Sequence, residues 1–323
     1  MEGFELEWFA FAFLGTIFFS IAGLLDKFLL SSYVDNSNGY IVCQVLASQL
    51  FAIPVFLIAG ANFVYPQSLI ALLFGILQVF PSFYYMKALK VEETSKVAAL
   101  EYIYPLFVFI GSVLFLGEVM ELKHCAGGLL LLVGTLLISY KKNGSCSNGL
   151  YSYSCNSNSL NIKPFLSALS PAIKPFLSYW ILTAVYYLSL KYLLISIDEW
   201  NLYIWSSLGS FLVVLSLMGI QSIRSEVKNF FSQGGLAVGT LISEEIFQFL
   251  GIIFSLFAYA IGSVTMVSSV GALQPLMTVL LILGLGILMP KLAKVMNEKT
   301  DWCSLKQKGI SFLVVAIGIY FVS

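Results

Sequence analysis

Three carboxylates interrupt long apolar runs of this chain: Glu101, Glu244 and Glu245. An ionisable group at bilayer depth costs about 2.5 to 3.5 kcal/mol on insertion scales and usually faces a cavity or a partner. Glu101 falls in the first two turns of a predicted helix, within AALEYIYPLF, where Tyr104 and Pro105 share its face at i+3 and i+4. It can bind a cationic group or carry a coupling proton. Equally, it can sit at the interface, snorkelling to water or paired with Lys96 or Lys90. Glu244 and Glu245 lie about ten residues into their span, and neighbours on a helix cannot face the same way. Both reach Gln248, from i+4 and i+3. At least one is expected to point into the bundle, where it could relay protons; a shorter helix would leave both at a boundary.

Gln78 and Gln248 each stand in the middle of a span, where an amide bridges helices or lines a polar cavity. Tyr85 follows Gln78 by seven residues, and Ser255 stands at the matching distance from Gln248. Gln274, beside Pro275, completes the candidates for a substrate cavity or coupling path. Lys27 and Lys191 close two spans and can snorkel to the interfaces or form gate ion pairs. Pro105 and Pro275 remove a helical hydrogen bond and kink their helices, as gates or as fixed structure.

Other chemistries are poorly served. The chain has one His, and its five cysteines (Cys43, Cys125, Cys146, Cys155 and Cys303) show no metal-ligand spacing, so no metal and no cofactor are expected. A Cys146–Cys155 disulfide is geometrically open, two free thiols being the simpler reading. No paired intramembrane nucleophile or metal motif supports an enzyme. No phosphate-binding loop is present either, which leaves an ion gradient or exchange as the driving force. With 17 Lys+Arg against 17 Asp+Glu there is no basic excess for nucleic acid.

The elements that must position these residues follow from composition. At 59% hydrophobic and 11% charged the chain is far from a soluble one. At ~20 apolar residues per span, it fits an all-α integral membrane protein with nine or ten helices. Hydropathy places ten, at 8–30, 40–60, 68–89, 95–116, 122–140, 171–197, 201–220, 235–261, 264–289 and 308–322. The only long polar stretch, rich in Ser and Asn, lies between the fifth and the sixth.

The halves on either side of it match. Lys27 corresponds to Lys191 at an offset of 164, while Gln78, Ala88 and Pro105 correspond to Gln248, Ala258 and Pro275 at an offset of 170. Five helices per copy is an odd number, so the second copy enters the membrane from the opposite side. The expected organisation is a first five-helix repeat at 1–142, a polar linker at 143–170 and an inverted second repeat at 171–323.

The segment MKALKVEETSKVAALEYIYPLFVFIGSVLFLGEVMELKHCAGGLLLLVGTLLIS resembles an EamA domain of the drug/metabolite transporter (DMT) superfamily, through Ala88, Pro105, Gly117-Glu118 and the Gly-rich fifth helix. Residues 257–281 repeat the pattern without a clear Gly-Glu counterpart. The resemblance implies a secondary transporter in the cell membrane, working by alternating access on a small organic solute such as a metabolite, amino acid or drug-like compound. Proton coupling or exchange would drive it, as a monomer or homodimer in the lipid bilayer. A channel or scaffold is the alternative, an intramembrane enzyme a more distant one. Fourteen of the 17 basic residues fall on the side of the odd-numbered loops, which by charge bias puts both termini outside; the resemblance implies both inside.

Overall fold

The computed structural model describes residues 2–117 apart from 93 and 102, single positions between 123 and 137, and residues 173–288 and 302–322. The polar linker, His124, Glu118 and Cys146 and Cys155 lie outside the described residues. Among those described, every regular element is a helix. In chain order these are α1 (Glu2–Ser32), α2 (Ser37–Ala59), α3 (Gln67–Val91), α4 (Thr94–Glu101), α5 (Tyr104–Gly111), α6 (Ile173–Leu193), α7 (Glu199–Leu217), α8 (Gln221–Phe231), α9 (Gly235–Ile261), α10 (Val264–Gly271), α11 (Gln274–Leu288) and α12 (Trp302–Val322). Among the described residues six stretches are long and apolar enough to cross a membrane: Glu7–Ser32, Ser37–Ala59, Gln67–Lys90, Glu199–Leu217, Gly235–Ile261 and Val264–Gly286.

Two spans that hydropathy reads as continuous are broken. Proline has no N–H and its ring collides with the carbonyl four residues earlier. For Pro105 that residue is Glu101, where α4 ends; for Pro275 it is Gly271, where α10 ends. Each helix restarts one residue before its proline, at Tyr104 and Gln274. The first break exposes the Leu100 carbonyl, and the Trp180 indole N–H satisfies it at 2.7 Å. Beyond α5 the chain makes a π-helical turn over Ser112–Leu116 and ends it at Gly117, whose φ of 68° suits a residue without a Cβ.

Short α8 is an addition to the hydropathy reading. Ile223, Val227 and Phe230 form one buried face while Arg224, Ser225 and Lys228 are exposed, the pattern of an amphipathic helix lying along a boundary.

The helices pack through small residues. α1 runs antiparallel to α9, with Phe18 over Phe247 and Phe11 over Phe257. Gly15 lies so near Ser255 that a Cβ there would stand 2.8 Å from its Oγ. Still closer are α3 and α7: a Cβ on Gly75 would stand 1.9 Å from the Ser206 carbonyl oxygen, and one on Gly209 would stand 2.0 Å from that of Leu72. Near this crossing the loop before α3 is latched to α7, the Asn62 N–H donating to Asn201 at 2.7 Å and Trp205 donating to the Asn62 carbonyl at 3.1 Å. On the opposite face Gly39 N–H donates to Glu226 of α8 at 3.0 Å, and Gln233 donates to the Tyr33 carbonyl at 2.9 Å.

Candidate functional site

Where α1, α2, α3, α6 and α9 converge they enclose a cavity of about 280 Å³, to which the α4 and α11 termini also contribute. Six of the eight residues singled out for a cavity line it: Gln78, Tyr85, Glu101, Glu245, Gln248 and Gln274. Glu101 reaches it because the break before Pro105 leaves it as the last residue of α4. One of its oxygens accepts from the Tyr179 hydroxyl at 2.8 Å, and the other is buried without a hydrogen-bond partner. Glu245, 4% exposed, is about 15 Å along α9 from its start at 1.5 Å per residue, which is mid-membrane depth.

Tyr104 and Glu244 stand behind the wall. Tyr104 stacks on Tyr187 with centroids 4.9 Å apart, and Tyr187 in turn meets Tyr259 at 5.2 Å. Glu244 is fully buried, and among the described residues neither of its oxygens finds a hydrogen-bond partner. Gln44 faces both Asp26 and Glu244, but its amide is directed to Asp26 at 2.8 Å.

Sequence reasoning does not single out Asp26. It lines the cavity, 5% exposed, and one oxygen accepts from both Tyr40, at 2.6 Å, and Gln44. Its signal was the same as that of Glu101: a carboxylate within an apolar run. Tyr179, Tyr186 and Tyr187 also line the cavity, and nothing in their spacing distinguishes them from ordinary core aromatics.

Both lysines end at backbone carbonyls. Lys27, 1% exposed, donates to the carbonyls of Leu89 at 2.6 Å and Glu92 at 2.8 Å, at the end of α3. Lys191 donates to those of Tyr259 at 2.7 Å and Gly262 at 2.8 Å, at the end of α9. A cation at a helix C-terminus satisfies orphan carbonyls and opposes the negative end of the dipole. Pro105 and Pro275 stand at helix starts, where the missing N–H costs nothing.

Residues 6–140 match the model of the EamA-like transporter family. This segment is an EamA segment, of the DMT superfamily. EamA proteins are membrane transporters, which points to an integral multi-pass membrane protein of DMT type with a small-molecule substrate, and away from an enzyme. Beyond the EamA segment, a crystal structure aligns over 98% of this chain and 96% of its own at a TM-score of 0.60 and 17% identity, which is a likeness of fold across both halves. A comparison with curated proteins finds no match.

Proposed function

We propose that this protein is a secondary transporter that moves a small organic solute by alternating access, with the central cavity as its binding site. The observation that carries the reading is that cavity: carboxylates and amides meet among membrane-length helices in a chain whose residues 6–140 match a transporter family. Polar groups at such depth are costly, and a solute path is what justifies them.

The inverted architecture belongs to the same proposal: five helices in 1–142, a linker at 143–170 and five helices in 171–323. Three matched features support it. Lys27 and Lys191 cap α3 and α9 at the same step, and Leu89 and Glu92 correspond to Tyr259 and Gly262 at the offset of 170. The breaks at Glu101/Tyr104 and Gly271/Gln274 share that offset. Asn36 and Asp198 are matching N-caps of α2 and α7. On this reading the plasma membrane is the site of action, a proton or another ion is the coupling partner, and the working unit is a monomer or homodimer.

Reconstitution tests it. Uptake into proteoliposomes is expected for at least one member of a panel of metabolites, amino acids and drugs, and Glu101→Gln is expected to reduce its pH dependence. Absence of flux for every member, with and without a proton gradient, would overturn the transport reading.

A further inference from the structure

The cavity has a sign. Asp26, Glu101 and Glu245 line it, while no Lys, Arg or His does so among the described residues. Asp26 is satisfied by two donors and Glu101 by one, but no described residue donates a hydrogen bond to Glu245, although it is 4% exposed and faces the cavity. The groups around it offer no positive charge: Asp26 on α1, Tyr40 and Gln44 on α2, Tyr203 on α7 and Glu244 on its own helix. A buried carboxylate so placed lacks a cation.

Comparison with the opposite crossing makes the point independently. The offset of 170 that relates Gln78 to Gln248 relates Gly75 to Glu245, and the N-caps Asn36 and Asp198 relate Gln44 to Ser206. At Gly75 and Ser206 the two helices touch through backbone, and neither residue lines the cavity. At the matching place a glutamate and a glutamine line it instead. A side chain that blocks close packing, and that finds no hydrogen-bond donor among the described residues, is placed for a ligand.

We infer that the cavity is a site for a small organic cation whose charge is countered by Glu245, with Asp26 and Glu101 on its flanks and the tyrosine-rich wall of α6 against its body. Aromatic faces add to this by attracting cations. The inference names the substrate class for the transport reading, but binding itself does not depend on that reading being right.

Purified full-length protein should be titrated with three aromatic probes of similar size: benzyltrimethylammonium, whose charge is fixed, benzyl alcohol and phenylacetate. Saturable binding by calorimetry is expected for the cation alone, weakened at least tenfold in Glu245→Gln and partly restored in Glu245→Asp. Equal binding of the neutral or anionic probe, absence of cation binding, or unchanged affinity in a folded Glu245→Gln protein would overturn the inference. The wild-type panel decides by itself if the variants do not fold. Cation binding without flux in proteoliposomes would sink the transport reading and leave the cation site standing.

Discussion

Lys27 shows what a single residue contributes at this depth. The residue is 1% exposed and its ammonium ends among the last carbonyls of α3, where a buried acceptor left unpaired costs about 1 to 3 kcal/mol. Replacing it by Met strips those carbonyls of this donor and removes one of the cations at the helix C-terminus, Lys90 remaining in the last turn. We expect Lys27→Met to lower stability by about 2 kcal/mol and Lys191→Met, at a partly exposed site, by less, as read from thermal melts in detergent. Melts indistinguishable from wild type would show that water or lipid headgroups serve these carbonyls equally well. Glu101, Glu244 and Glu245 were legible in the sequence because charge in an apolar run is conspicuous, whereas Asp26 stands beside Lys27 near a helix end and draws less notice. Which of Glu244 and Glu245 faces the cavity was not, since both reach Gln248 and only the packing of α9 against α1 and α2 selects Glu245.

At the scale of elements, proline positions were readable and their consequence was underestimated: a kink was expected where the chain makes a full break and restart. Short α8 escaped because an average over ~19 residues dilutes a short amphipathic helix between two apolar spans. Its period was there in Ile223, Val227 and Phe230. The α7 start offers a quantitative test outside the membrane. Burial raises the Asp198 carboxyl, but hydrogen bonds from the Asn201 backbone and side chain and from nearby backbone N–H groups outweigh it and hold the group below its ordinary 3.8. A group depressed on folding stabilises fully above its unfolded value and loses that contribution as pH falls below 3.8. Asp198→Ala is therefore expected to cost about 1 kcal/mol near neutral pH, with the gap to wild type narrowing toward about pH 3, whereas Asp198→Asn keeps most of the cap. A gap independent of pH would assign the loss to packing and not to the charged cap.

At the scale of the whole molecule, the two crossings that the proposed repeat makes equivalent are not alike. The α3–α7 crossing is closed on glycine, with Gly75 against the Ser206 backbone and Gly209 against that of Leu72, while the α2–α9 crossing touches through Phe51 and Phe249 and its Gln44 and Glu245 line the cavity. On the proposed transport reading, alternating access needs each crossing to open when the other closes. A methyl group at position 75 would stand 1.9 Å from a backbone oxygen, so the helices must separate to admit it. Overpacking of this kind costs about 1 to 3 kcal/mol, which corresponds to a shift between states of roughly 5- to 150-fold. Gly75→Ala is expected to slow uptake on the order of tenfold by disfavouring the state described here, while the cavity residues, which it does not touch, still bind solute. Equilibrium binding and proteoliposome flux measured on the same preparation separate these effects. If Gly75→Ala transports at the wild-type rate, the α3–α7 contact is a static seam, and the moving gate must be sought among α1, α4 and α11, which meet near the Pro105 and Pro275 breaks.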